Sequence, residues 1–394
     1  MVAELKRLRL RKINVIHDQK GDSRAGKPAP LSRVESVVLI VGVSRSVRTN
    51  SPVSPYASNT ETISARFRSY AILMTSWSSA FDRPQMNIAI EPPRVTVAQP
   101  TQISGPFFLL QVSRPGLCAT TALFYLMPLG REFHWRSAGF WAGLVYILFP
   151  LGLLLYGVND IADADGDRYN PRKGTYMFGS RGETSQLKAL RWQIAAIQAP
   201  FLFLFLVWTG PKLLTWLAAL LLAVFVYNAR PFACKGRPPF DVLIQASYLL
   251  VFVLSSWLNK MPQLPWQAFL FGAMFAMHSH LFGEVMDIEP DQKSGRKTLA
   301  IVLGRIPTKL LIAVFLASET ALVYRFFRDR VISGFLLAGA LWFVFDAAIF
   351  WRRRPYTTAQ MRLFLWGWNV AALLGIFWNA TRGSLLQVTR LPLR

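Results

Sequence analysis

The chain is poor in the residues that most soluble chemistry relies on. It has two cysteines, Cys118 and Cys234, in 394 residues. They have no paired spacing, so neither a disulfide framework nor a thiolate metal site is implied. Four histidines show no zinc spacing. There is no Gly-rich phosphate loop, no nucleophile triad and no nucleic-acid module. Acidic side chains are scarce, 21 against 44 Lys and Arg, for a net charge of +23. More than half of the chain, 53%, is hydrophobic, with a mean hydropathy of +0.31. A soluble domain rarely combines such apolarity with that charge. The charges lie between apolar runs of bilayer-crossing length, about 20 residues. The composition describes an integral, multi-pass membrane protein. Its positive balance fits basic loops beside anionic lipid rather than nucleic acid.

Residues 1–100 differ from the rest. Residues 1–85 hold 14 Lys and Arg against 6 Asp and Glu, with many Ser, Thr and Pro. The segment is expected to be largely disordered. It has the composition of a transit-like presequence. It also reads as an upstream extension, since Met86 opens a sensible shorter protein. Residues 105–385 form the membrane domain. Nine spans are expected, at 115–130, 138–158, 188–208, 212–228, 240–258, 265–284, 308–326, 331–351 and 362–379. Loops after the even-numbered spans carry most of the loop Lys and Arg, with Arg325, Arg328 and Arg330 dissenting. Those loops and the N-terminus are therefore expected on the cytoplasmic side.

Against this basic background, two acidic clusters stand out. Asp160, Asp163, Asp165 and Asp167 follow the second span, and Glu284, Asp287, Glu289 and Asp291 follow the sixth. Both ends face the same side. Carboxylates at the end of a span are expensive, so they usually hold a cation. On a helix, Asp163 falls about −60° from Asp160, Asp167 about −20° and Asp165 about 140°. Asp160, Asp163 and Asp167 then share one face, and Asp165 turns away. Glu284, Asp287 and Asp291 repeat the i, i+3, i+7 spacing, with Glu289 turned away. Gly166 and Pro290 each precede the last aspartate and are expected to end the helix there.

Two oxygen-rich clusters without His or Cys suit Mg²⁺, which prefers a few carboxylates plus phosphate oxygens. The expected metal set is Asn159, Asp160, Asp163, Asp167, Glu284, Asp287 and Asp291, with the five aspartates catalytic. Basic residues for a diphosphate follow: Arg168, Arg172 and Lys173, Lys235 and Arg237, Arg296 and Lys297. Acid for the metal and base for the phosphate suggest a lipid-like diphosphate whose polyisoprenoid tail lies among the helices. Tyr156, Tyr227, Asn228 and His280 are candidate substrate contacts, Tyr156 and Tyr227 through their ring faces. His280 lies one turn from Glu284. Intramembrane acids also mark transporters, but those sites lie near the midplane, not at one face.

Asn159-Asp160-x-x-Asp163-x-x-x-Asp167 and Asp287-x-x-x-Asp291, the latter followed by Gly295-Arg296-Lys297-Thr298 and Gly304, resemble the motifs of the UbiA-type intramembrane prenyltransferases. The Tyr227 to Asp241 loop and Arg114-Pro115 add to the likeness, which covers about residues 105–380. The resemblance implies an all-α bundle of nine transmembrane helices with a central cavity open to the cytoplasm and the bilayer. It implies Mg²⁺-dependent transfer of a prenyl group from an isoprenyl diphosphate to a lipophilic acceptor, an aromatic or quinone precursor or similar. An elongase or cyclase acting on a carotenoid or other polyene is the alternative within the fold. Many quinone, haem and chlorophyll branches carry Arg-Pro-x-x-x-Gly after the first motif. Asn170 to Gly182 lacks it and looks closer to branches acting on polyenes. Glu284 stands where an aspartate is frequent in the family.

Overall fold

The computed structural model describes residues 103–383 and Leu385. The expectations for residues 1–100 lie outside the described residues. Those described are helical, joined by turns and by one isolated bridge between Thr175 and Gly179. The first span is broken into α1 (Gly105–Val112) and α2 (Cys118–Leu126). The break falls at Arg114-Pro115, where Arg114 takes φ 54°. Proline lacks an N–H and disfavours a helical residue before it. The next span breaks at Phe149-Pro150 for the same reason, into α3 (Ala138–Leu148) and α4 (Pro150–Ala162).

The bundle continues through α5 (Thr184–Thr209) and α6 (Lys212–Asn228). Short α7 (Phe240–Leu243) leads through a 3₁₀ stretch into α8 (Leu250–Leu258). Then come the long α9 (Trp266–Lys293), short α10 (Leu299–Leu303) and α11 (Arg305–Leu322). A π turn, Val323–Phe327, ends at Arg328 and leads to α12 (Arg330–Ala348) and α13 (Thr358–Arg382). Helix α11 packs on α12 and α9, α13 on α2, and α4 on α5.

Among the described residues, seven helical segments are long and apolar enough to cross a membrane. The fourth expected span, α6, is apolar but only 17 residues long. The sixth, α9, runs for 28 residues but is not among the seven. The reason lies in its second half, which carries His278, His280, Glu284, Asp287, Glu289 and Asp291. The first segment also starts ten residues earlier than its hydropathy suggested, at Gly105.

Large apolar side chains face outward, among them Trp192, Phe203, Leu363, Trp366 and Phe377. Such a surface is suited to acyl chains rather than water. Several polar groups inside the bundle are paired, which offsets the cost of burying them in a low-dielectric interior. Tyr125 donates to the Phe140 carbonyl at 3.0 Å and receives Asn259 Nδ2 at 3.0 Å. His278 Nδ1 lies 2.7 Å from Glu319 Oε1. Lys309 and Asp346, both 0% exposed, pair at 3.0 Å, and Tyr356 donates its hydroxyl to Asp346.

Removing one partner of a buried ion pair costs about 3–5 kcal/mol, because the other charge stays behind. Lys309→Met should therefore destabilise the detergent-solubilised protein by roughly that amount. Lys309→Met combined with Asp346→Leu should recover most of the loss. Thermal unfolding of the three proteins, wild type included, checks this.

Candidate active site

The first acidic cluster is assembled at a helix end. Helix α4 stops at Ala162, and Asp163 is its C-cap with φ −104° and ψ 9°. Asp167 rides on the following 3₁₀ turn, Gly166–Tyr169, and its N–H donates to the Asp163 carbonyl at 2.9 Å. Asp160 is 2% exposed and Asp163 is 6% exposed. Asp165 points out, its side chain 96% exposed and 3.2 Å from Arg168. The expected turning-away of Asp165 is what the chain does. A tight turn rather than a continued helix brings Asp167 back to its neighbours.

The second cluster is built differently. Pro290 was expected to end its helix, but α9 runs through it to Lys293 and keeps Asp291 helical. So near the end of a helix, a missing N–H removes one bond from the last turns only. Glu284 and Asp291 are buried, and Glu289 turns away to Arg305.

Every carboxylate facing inward is met by a cation, a backbone amide or histidine. Asp160 takes Arg114 at 3.0 Å, Lys173 at 2.5 Å and the Ser180 hydroxyl at 2.9 Å. Asp163 takes Lys235 at 2.5 Å and Arg296 at 2.7 Å. Lys173 also reaches Asp167 at 2.8 Å. Asp287 receives Arg172 and, at 3.0 Å, Asn170 Nδ2. Arg296 touches Asp291 at 3.4 Å, so one guanidinium contacts both clusters. Gly295, at φ +74°, lets the chain reverse after α9 to aim Arg296 inward.

The loop from Asn170 to Gly182 straps the clusters together. Its Asn170 and Arg172 serve the second cluster, and its Lys173 and Ser180 serve the first. It lies against the start of α2. Tyr176 O accepts the Gly116 N–H at 3.1 Å. A Cβ on Gly116 would lie 2.6 Å from Met177 Cα. Gly179, at φ +96°, passes so near Arg114 that a Cβ would lie 2.7 Å from its Nε. The Arg114 guanidinium itself stacks 4.4 Å from the Tyr156 ring centroid.

Burial pushes the Asp167 carboxyl above its ordinary value, with the Lys173 ammonium opposing. Burial likewise lowers Lys235, with Asp163 opposing. For Arg296, burial works against the charge, but Asp163 and Asp291 outweigh it and hold the guanidinium above its ordinary value.

The structure does not bring all the expected residues together. Arg168 is exposed and pairs with Asp165 outside the site. Arg237 and Lys297 are exposed and do not line the cavity. Each lies beside a basic neighbour that does turn in, Lys235 or Arg296. Glu284 sits inside, but Oε2 accepts the Ala300 N–H at 3.1 Å, and Oε1 lies 3.1 Å from His280 Nε2. It caps the start of α10 together with Asp241, whose Oδ2 accepts the Leu299 N–H at 2.7 Å. Asn228 lies behind the shell and accepts from Lys235 at 3.1 Å. Tyr227 and His280 meet edge to face. Asn159, Tyr156, Tyr227 and His280 all line the cavity.

Four residues of the shell escaped the sequence reading as site residues: Arg114, Asn170, Ser180 and Asp241. Arg114 carried a usable signal, since it is the one charge between Ile103 and Gly130. A lone ionisable residue in an apolar span is a functional candidate. The others depend on how the loops return, which no local pattern reports.

The shell closes one end of a cavity of about 320 Å³. Away from the charges the walls are apolar and aromatic, with Phe124 from α2, Phe275 and Phe282 from α9, and Phe364 and Trp368 from α13. The acidic donors are all oxygen, the type that suits a hard divalent ion. Among the described residues, no three His, Cys, Asp or Glu side chains are placed to hold an ion as they stand. In this arrangement the inward aspartates are held by Lys and Arg.

The profile of the UbiA prenyltransferase family matches residues 117–368. A Corynebacterium glutamicum protein named lycopene elongase/hydratase is 30% identical over 272 residues, covering 66% of this chain and 91% of that protein. A Dietzia protein named for C(50) beta-cyclic carotenoid biosynthesis is 32% identical over 186 residues, covering 46% of this chain and 43% of that protein. Among solved structures, a UbiA homolog from Archaeoglobus fulgidus bound to DMAPP and Mg²⁺ aligns with a TM-score of 0.55 and 19% identity. It covers 70% of this chain and 99% of that one, a likeness of fold. With the profile spanning well over half of the chain, and two acidic clusters facing one cavity inside an apolar bundle, this protein belongs to the UbiA prenyltransferase family and is a membrane-embedded prenyltransferase.

Proposed function

We propose that this enzyme transfers the isoprenyl group of an allylic diphosphate to the terminal double bond of an acyclic polyene. The observation that carries the reading is the charged shell at one end of an apolar, aromatic cavity. Two features favour a polyene acceptor. The Asn170 to Gly182 loop lacks the Arg-Pro-x-x-x-Gly pattern, and the relatives named above are called after lycopene and carotenoids. An aromatic or quinone-precursor acceptor is the second reading and shares the donor chemistry.

Asp160, Asp163, Asp167, Asp287 and Asp291 are the residues that would hold Mg²⁺, with Asn159 beside them. Bound there, the ion would neutralise the diphosphate and stabilise charge on the leaving group. Arg114, Arg172, Lys173, Lys235 and Arg296 are already drawn inward by the carboxylates. They would turn part of their charge to the diphosphate oxygens as the allylic C–O bond breaks. The bond's electron pair leaves with the diphosphate, and the allylic carbon becomes electron-poor. The dry wall of Phe124, Phe275, Phe282 and Trp368 keeps water from that carbon. The Tyr227 ring face would stabilise it, whereas Tyr156 already has Arg114 stacked on its ring. His280, held by Glu284, orients the reacting ends. The acceptor's double bond supplies the electron pair of the new C–C bond, and the positive charge this leaves on the acceptor is discharged by loss of a proton from the adjacent carbon to the released diphosphate.

Leu117 and Thr120 near the start of α2 and Leu365 and Trp368 on α13 line the cavity and are only half-buried. A long polyene would enter past them while its far end stays in the bilayer. The excess of Lys and Arg in the loops beside the acidic clusters supports a cytoplasmic charged face and N-terminus, in an inner or plasma membrane.

The decisive test is diphosphate release from isoprenyl diphosphates by membranes containing the enzyme and Mg²⁺. Asp160→Ala and Asp287→Ala should each lower the rate by about 10²-fold or more. Unchanged release in both would remove the assignment. Mass spectrometry of the lipid extract should show an elongated polyene, and a prenylated aromatic product would move the acceptor to the second reading.

Gly179→Ala should lower the same rate by about 10-fold or more, since it forces a left-handed alanine against Arg114. Gly174→Ala, in the same loop with φ 90° but no described clash with Arg114, supplies the comparison for backbone strain alone.

A further inference from the structure

The loop between α12 and α13 carries Arg352, Arg353 and Arg354 in a row, and the site described above uses none of them. All three are exposed, and among the described residues no carboxylate lies within ion-pair distance of any of them. The nearest acid in sequence, Asp346, is buried and already engaged. It takes Lys309 at 3.0 Å, the Tyr356 hydroxyl, and the Trp351 N–H at 3.2 Å. Those bonds tie both sides of the loop to α12, and the Arg354 N–H closes the turn on the Trp351 carbonyl at 2.8 Å. The three arginines therefore rise from a fixed turn.

The surface leading to that turn is apolar. Phe345, Ile349 and Phe350 are 49%, 66% and 51% exposed. The Phe350 ring lies 5.4 Å from Trp342 and 5.9 Å from Trp351, so aromatic rings border the arginines. Tryptophan is enriched where bilayer meets water. The Tyr356 ring meets Phe282, which precedes Glu284 by two residues, so the loop sits at the end of the bundle that carries the charged shell. Several other cations at that end are taken up by carboxylates: Lys173 and Lys235 by the first cluster, Arg168 by Asp165 and Arg305 by Glu289. The arginine turn has no such partner. An apolar surface ending in three unpaired guanidinium groups matches the order of a phospholipid, acyl chains first and phosphate second. A guanidinium meets a phosphate through two parallel N–H bonds. A zwitterionic headgroup brings its own cation to the arginines, and an anionic one does not. We infer that Arg352, Arg353 and Arg354 form a binding site for the headgroup phosphate of an anionic phospholipid, whose acyl chains lie along Phe345, Ile349 and Phe350.

The test uses the purified full chain in a non-ionic detergent. Native mass spectrometry counts bound lipid during titration with a phosphatidylglycerol and with a phosphatidylcholine of the same acyl chains. Each arginine beside an anionic headgroup strengthens binding about fivefold, so the wild type should prefer the phosphatidylglycerol by about tenfold or more. Equal binding of the two lipids overturns the site. Arg352→Gln combined with Arg353→Gln and Arg354→Gln should reduce the preference to about twofold or less. A triple variant that keeps the wild-type preference overturns the site as well. Arg325→Gln combined with Arg328→Gln and Arg330→Gln removes the same charge around the turn between α11 and α12. That protein should keep the wild-type preference, and an equal loss there means attraction by net charge alone and no site. Inorganic phosphate at the lipid's concentration should not displace the phosphatidylglycerol, and displacement assigns the turn to a soluble anion instead. Every preference is a ratio on one preparation, so a partial loss of folded protein cancels.

Discussion

The structure depends on neutralising buried carboxylates inside an apolar bundle. Asp160, Asp163 and Asp291 are each nearly inaccessible, and the cost of an unpaired charge there would exceed the stability of a typical domain's margin. Each is met by Lys or Arg from a different part of the chain. Arg114 comes from the first span, Lys173 from the strap, Lys235 from the loop after α6, and Arg296 from the turn after α9. The ion pairs thus tie four separate connections of the chain to one another. The same cations then stand where a diphosphate must bind, so the fold's internal counterions and the proposed substrate contacts are one set of side chains.

That economy explains which parts were legible beforehand. The spacing of Asp160, Asp163 and Asp167 is local, and it correctly separated them from Asp165. The paired pattern at Asp287 and Asp291 was equally readable. Failures came where a choice between neighbours depends on tertiary paths. Lys235 and Arg237 are two residues apart, as are Arg168 and Asn170. Composition cannot say that Lys235 and Asn170 turn inward while Arg237 and Arg168 do not. Pro290 reads as a helix terminator in sequence, yet so near the end of α9 its lost hydrogen bond costs the helix little. Helix α9 also shows why a helix of 28 residues can have too little hydropathy for a span: of the polar residues that lower it, His280, Glu284, Asp287 and Asp291 line the cavity.

Glu284 shows a different kind of ambiguity. By spacing it belongs with Asp287 and Asp291. By contacts it joins Asp241 in receiving the first amides of α10, with His280 on its other oxygen. A helix start offers unsatisfied N–H groups and a partial positive charge, so it competes with a metal ion for the same carboxylate. The strap from Asn170 to Gly182 is the counterpart among loops. It lacks the family's frequent basic pattern but delivers Arg172 and Lys173 to both clusters all the same.

Gly116 and Gly179 have a further consequence. Each lies on a different segment, and each faces a neighbour closer than a methyl group would allow. Together they freeze the charged end against sequence drift. The walls contributed by Phe124, Phe364 and Trp368 take no part in the ion pairs of the charged shell and are held instead by ring packing, Phe124 on Phe252 and Phe275, and Trp368 on Phe275. The chain is thereby divided into an end held by charge and an end held by apolar contact. New acceptors can be explored at the second without disturbing the ionising chemistry of the first.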